Sequence, residues 1–455
     1  MNSIYLSLLL FFVIMGPIVI ISISLKYSRF WTLLIFVVIS AGGVMINGYC
    51  LIDKYLIGCL LFGVLLVFSV RPVCQRHVSQ KKSRFSKIHF QVFLLFMYYM
   101  IFQSIRGLVV LDDLRMVQFI IFFTMLGILS YILYKGFFPV PSHKNIIKIV
   151  LFSTLIYFTL YLGHGVLTEL IRGMGRFDVQ GEEWAGSSVA MFPVFTAIPA
   201  VYYALKRKSK QILLEEKDFK QTCLVWATVI IIAATSFYYD SRISWIAITG
   251  FLLLSVWDLG IFKSVKVLVI FLVSLFILSV GKMQEHNFIA FITRAGSFFE
   301  ELFISGLGAQ PSDMSRRIEI VAGFQSITDS IQTLFFGTGF YTERYKLIPY
   351  YLETASQYLM PTGVIDIIRP ATFTSLLSGT GLVGILFLFL CFFLTACEII
   401  EYTKDNNREG RKILLFTLLL VFMSINISLN FGLILFYFCI MPSGLLIQMS
   451  KYETS

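Results

Sequence analysis

Charged residues stand at costly places in this 455-residue chain. Asp240-Ser241-Arg242 is the only polar break between two apolar runs. Arg316-Arg317 lies two residues before Glu319, Arg369 stands shortly before a late apolar run, and Arg176 sits in a loop, Glu169–Glu183, with Arg172, Asp178, Glu182, Glu183 and three glycines. A guanidinium is planar and always charged, and its donor fork matches phosphate or carboxylate oxygens two at a time. Arg176, Arg242, Arg316, Arg317 and Arg369 are therefore candidate ligands for an anion, and Asp240 and Glu319 are carboxylates close to them in sequence, with Asp178 and Glu182 next. The plainer readings are a capped helix end at 240–242, a solvated loop at 169–183, and arginines that pair with neighbouring acids. No metal is expected. The chain has no Asp-x-Asp, no His-Glu-x-x-His and no His cluster, and Asp112-Asp113 reads as a solvated turn. The seven cysteines show no Cys-x-x-Cys spacing, and no Ser/His/Asp order is evident.

The elements that must place these residues follow from composition. The chain is 57% hydrophobic and 14% charged, where soluble domains hold about 25% charged residues. Long apolar runs recur throughout, so a soluble enzyme and a disordered chain are excluded. Spans are expected near 4–24, 30–47, 55–70, 90–105, 116–134, 146–163, 187–205, 222–238, 243–257, 265–280, 375–397, 413–430 and 431–449. The fold class is thus an all-α polytopic integral membrane protein of about 12–13 transmembrane helices. One large loop outside the membrane falls between the tenth and eleventh. The organisation reads as an N-terminal bundle (1–280), the loop with short amphipathic helices lying over the bundle (281–374), and C-terminal helices (375–455).

The net charge of +11 resembles a nucleic-acid signal until it is mapped. Oriented by the positive-inside rule, the inner face takes 24 of the 37 Lys+Arg and 9 of the 26 acids, the outer face 13 and 17. Lysine outnumbers arginine 17 to 7 inside, whereas outside arginine leads 10 to 3. Topology needs only positive charge, so the outer arginines point to an anionic ligand at headgroup depth. No nucleic-acid partner is implied.

Four stretches resemble the O-antigen polymerase/ligase family, the Wzy and WaaL type of membrane glycosyltransferase. They are Met174-Gly175-Arg176-Phe177, Asp240-Ser241-Arg242-Ile243-Ser244-Trp245, Arg317-Ile318-Glu319-Ile320 with the later Phe336-Gly337-Thr338-Gly339-Phe340, and Leu377-Ser378-Gly379-Thr380-Gly381-Leu382-Val383-Gly384. The resemblance covers roughly residues 170–450 and rests on their order around the long loop. By itself the Gly337-Thr338-Gly339 run reads as a tight turn. Ligases of this family place a histidine shortly before the glycine-rich span, where this chain has Arg369-Pro370-Ala371-Thr372. That departure favours a polymerase.

The resemblance implies a GT-C-like fold and cofactor-free, metal-independent glycosyl transfer at the periplasmic face of the bacterial inner membrane. Donor and acceptor would both be undecaprenyl-pyrophosphate-linked glycans, with membrane lipids and a chain-length regulator as partners. A sugar hydroxyl attacks the anomeric carbon and undecaprenyl pyrophosphate leaves. Arg176, Arg242 and Arg317, with Arg316 and Arg369 in support, would hold the growing charge, and Asp240 or Glu319 would take the hydroxyl proton. The rivals are ligase-type transfer, a lipid-linked oligosaccharide transporter, a metal-dependent polyprenyl-phosphate-sugar transferase and a structural scaffold.

Overall fold

The computed structural model describes residues 34–35, 45–46, 49–50, 84–111, 115–135, 143–172, 193–211, 219–238, 311–340, 342–357, 372–402 and 408–424. Its helices are α1 (Arg84–Leu111), α2 (Arg115–Lys135), α3 (His143–Arg172), α4 (Pro193–Gln211), α5 (Phe219–Tyr238), α6 (Pro311–Thr328), α7 (Ile331–Phe336), α8 (Glu343–Lys346), α9 (Ile348–Gln357), α10 (Thr372–Tyr402) and α11 (Arg408–Ser424). Among the described residues there is also an antiparallel strand pair, β1 (Met45–Ile46) with β2 (Tyr49–Cys50). The span expected over 30–47 therefore does not run through Met45. The spans expected at 4–24, 55–70, 243–257, 265–280 and 431–449 lie outside the described residues.

Local chemistry accounts for the helix ends. Pro193 and Pro311 open α4 and α6, where a missing N–H removes no helical bond. Ser330 caps α7: its hydroxyl accepts from Thr333 N–H at 3.1 Å, and the Thr333 hydroxyl accepts from Ser330 N–H at 3.1 Å. Such a cap contributes about 1 kcal/mol.

α1, α2 and α10 form one packed group. Phe93 and Phe96 of α1, Phe122 and Leu126 of α2 and Leu388 and Cys391 of α10 are buried. α1 and α10 run antiparallel. His89 Nδ1 meets Glu398 Oε1 at 3.0 Å near one end, Phe96 stacks on Phe387 midway, and the Tyr99 hydroxyl donates to Thr380 O at 2.5 Å towards the other. Phe90 stacks on Tyr134 with centroids 4.2 Å apart, so α2 also runs antiparallel to α1. α3 packs against α4 and α5, and α11 lies against both α4 and α10.

Two stretches, Phe85–Leu111 and Thr374–Glu401, have the length and apolarity that crossing a bilayer requires. Large apolar side chains point outward along both: Tyr98 is 67% exposed, Val109 79% and Phe393 63%. Three hydroxyls on these helices turn back on their own backbone: Ser104 to Met100 O, Thr380 to Leu376 O and Thr395 to Cys391 O. Each thereby satisfies a group that hydrocarbon could not.

Candidate functional site

The segment 311–357 meets the bundle where the end of α1 lies beside the start of α10. α10 is broken there. Gly381 has φ +66° and ψ −167° inside an otherwise helical run, so the carbonyls of the preceding turn lose their intrahelical donors. Replacements come from elsewhere. Thr338 N donates to Ser378 O at 2.8 Å and Gly339 N to Gly379 O at 3.0 Å, while Tyr99 takes Thr380 O. Two Gly-Thr-Gly runs, 337–339 and 379–381, thus lie backbone against backbone. Gly337, at φ +66°, mirrors Gly381. A Cβ on Gly337 would stand 2.5 Å from Gly379 C, and one on Gly381 would stand 2.5 Å from Gly337 N. No other residue fits either position.

A polar ladder on α1 holds the far side of this seam. Tyr99, Gln103 and Arg106 follow one another at helical spacing on a single face. Gln103 Nε2 donates to the Tyr99 hydroxyl and to Phe336 O, both at 2.8 Å. Arg106 donates to Gln103 Oε1 at 3.0 Å, Phe336 O at 3.0 Å and Gly337 O at 3.3 Å. The carbonyls at the end of α7 thereby gain donors, and a cation at a helix C-terminus also opposes its dipole. Phe340 N bonds Gln103 O at 3.1 Å, and its ring meets Phe119 and Phe123 of α2 edge-on.

α6 joins the same corner. Ser326 Oγ lies 2.9 Å from Ser378 Oγ, and α6 packs on α9 as well as on α10. On α9 the Tyr350 hydroxyl donates to Asp329 Oδ2. That bond, with burial and the nearby carboxylates, pushes the Tyr350 phenol above its ordinary 10.0. Burial and the charge of Glu319 push Tyr351 the same way.

Of the residues singled out by sequence, Arg316, Arg317 and Glu319 lie in the second and third turns of α6, Glu319 half-buried. Arg176, Asp240, Arg242 and Arg369 lie outside the described residues, as do Asp112, Asp113, Asp178 and Glu182. The family-like stretches 336–340 and 377–384 touch each other. Sequence alone does not single out the ladder: Tyr99 and Gln103 stand in an apolar run, and Arg106 is one of the ten arginines assigned to the outer face. The signal available was three polar residues at helical spacing within an apolar span. No family model matches the chain. No curated protein and no solved structure matches it either.

Proposed function

We propose that this chain is a multi-pass glycosyltransferase of the O-antigen polymerase type in the bacterial inner membrane. It joins undecaprenyl-pyrophosphate-linked repeat units at the periplasmic face. What carries the reading is the seam between 337–339 and 379–381. It binds the segment bearing Arg317 and Glu319 to one end of α1 and α10, where a lipid-linked pyrophosphate would sit between membrane and water.

In this reading the hydroxyl of the acceptor's terminal sugar attacks the anomeric carbon, the bond to the pyrophosphate oxygen breaks, and the hydroxyl proton passes to a carboxylate. Arg176, Arg242 and Arg317 stabilise the charge arriving on the leaving pyrophosphate, assisted by Arg316 and Arg369. Losing one such group raises the barrier by about 3–4 kcal/mol, the cost of a lost oxyanion donor. Asp240 or Glu319 acts as the base. A broken helix also suits a transporter. Here, however, the carbonyls exposed by the break are taken by Thr338, Gly339 and Tyr99, which fits a fixed scaffold better than a moving ion site.

The test is the surface-glycan ladder of a strain lacking the gene. Wild type should restore it, and Arg242→Ala and Arg317→Ala should leave single repeat units at normal protein levels. Arg317→Lys should fail too, because an ammonium is only a point charge. Ladders of wild-type length from these variants would refute the assignment. Long polymer stranded on its carrier would mean a ligase, and loss of activity in EDTA would mean a metal-dependent transferase.

A further inference from the structure

The stretch from Ser330 to Phe340 contains no charged residue. Ile331, Phe335 and Phe336 are exposed on it, Ile331 to 78%. Scattered apolar residues on a surface are ordinary. These three share one six-residue helix, and Arg106 fastens the end of that helix beside Phe102 and Ile105, which are exposed on α1. The apolar surface therefore continues from a candidate span onto the segment beyond it.

Depth points the same way. At about 1.5 Å per residue, Gln103, eight residues before Leu111, lies about 12 Å in from the end of α1. Gly379 to Gly381, five to seven residues after Thr374, lie about 8–10 Å into the second span. α1 has 28 residues and so measures about 42 Å against a hydrocarbon core of about 30 Å. Centred in the bilayer, it would overhang by about 6 Å at each end, which leaves the 336–340 turn about 6 Å below the hydrocarbon edge.

Backbone at that depth must have its polar groups satisfied within the protein. The N–H groups of 337–340 and the carbonyls of Phe336, Gly337 and Gly339 meet the condition. Gly337 N bonds Thr333 O, Thr338 N and Gly339 N bond the broken turn of α10, and Phe340 N bonds Gln103 O. Phe336 O and Gly337 O accept from Gln103 and Arg106, and Gly339 O accepts from Thr342.

We propose that α7 and the 337–340 turn form a re-entrant segment that dips into the bilayer leaflet, with Ile331, Phe335 and Phe336 against lipid acyl chains. The occupant of this apolar face is bilayer lipid. The inference rests on the membrane reading above and is independent of glycosyl transfer.

The experiment places photoreactive benzoylphenylalanine at Phe335, Ile331, Phe393 or Ser356 of the full chain in dioleoylphosphatidylcholine vesicles. Ser356 is exposed on α9 and Phe393 on the second span. After irradiation, mass spectrometry identifies what each position has captured. Lipid adducts at 331 and 335, comparable to position 393 and several-fold above 356, are expected. Protein crosslinks at 331 and 335, to a second copy or to another part of the chain, would overturn the proposal. So would an absence of adducts there while 393 captures lipid, since the face would then be in water. Failure of 393 itself to capture lipid would remove the membrane reading and this inference together.

Discussion

Gly337→Ala and Gly381→Ala probe the seam directly. Each would put a methyl 2.5 Å from facing backbone atoms, and neither contact is with a flexible side-chain tip that could swing away. Each also forces a residue with a Cβ into φ +66° with ψ near −168°. That region is open essentially to glycine alone, and occupying it costs about 1–3 kcal/mol. Relieving the clash separates the two runs and breaks the Thr338–Ser378 and Gly339–Gly379 bonds, at about 0.5–1.5 kcal/mol each. The expected loss is then about 2–6 kcal/mol per variant, above the roughly 1 kcal/mol of an average substitution. In the double variant the backbone strain adds but the seam opens once, so it should fall short of additivity by about 1–3 kcal/mol. The assays are the unfolding midpoint in detergent and the rate of tryptic cleavage at the exposed Lys346. A seam weakened by about 2 kcal/mol raises the open population, and the cleavage rate with it, about 30-fold. Gly163→Ala is the control, since a Cβ there meets nothing within 4 Å; alanine in a helix interior should be neutral or stabilising by up to about 1 kcal/mol. Single variants that match this control, or costs that add strictly, would refute the packing argument.

Other consequences follow from named contacts. Gln103→Leu removes the bonds to Tyr99, Phe336 and Arg106, and a midpoint loss of about 1.5–4.5 kcal/mol should be shared by any variant that disconnects the ladder; an unchanged midpoint would mean the ladder contributes nothing. Glu398→Leu removes the carboxylate that meets the buried His89 Nδ1 and should cost about 1–3 kcal/mol, whereas Glu398→Gln, which keeps an acceptor, should cost less; equal losses would show that the bond is immaterial. The phenols of Tyr350 and Tyr351 are raised in the folded state, so their contribution is complete below the ordinary 10.0 and declines as pH rises past it. Midpoints measured from pH 9 to 11 should fall less steeply in Tyr350→Phe than in wild type; parallel curves would sink that attribution.

How far the sequence reached depends on the kind of signal. Helices made of long apolar runs were legible: those expected at 116–134 and 222–238 are found as Arg115–Lys135 and Phe219–Tyr238. The helix expected at 90–105 runs longer, from Arg84 to Leu111: at its start Arg84, Ser86, Lys87 and His89 lower the hydropathy without ending the helix. The glycine-rich start of α10 was visible as composition, yet the break at Gly381 was not. Glycine is tolerated in helices, and only the partner backbone at Gly337 makes φ +66° necessary. That partner is 44 residues earlier in the chain, and no periodicity connects the two. The ladder escaped notice for the opposite reason. Three polar residues in an apolar helix mean little until the carbonyls they serve are known.

That omission alters how the outer arginines are counted. Their excess over lysine was read as anion recognition, yet Arg106 spends its donors on Phe336 O, Gly337 O and Gln103. Among the described residues no carboxylate pairs with it. Arginine is needed here too, because one planar fork must reach two successive carbonyls and a side-chain amide, and an ammonium cannot span them. Composition cannot tell this role from that of a ligand, but two readouts together can. Arg106→Lys should lower the unfolding midpoint, and any shortening of the glycan ladder should disappear at a temperature where the variant is fully folded. Arg317→Lys, if it has lost a ligand, should keep the midpoint and shorten the ladder at every temperature. Were Arg106→Lys to shorten the glycan ladder with an unshifted midpoint, Arg106 would belong with the anion ligands and not with the polar ladder of α1.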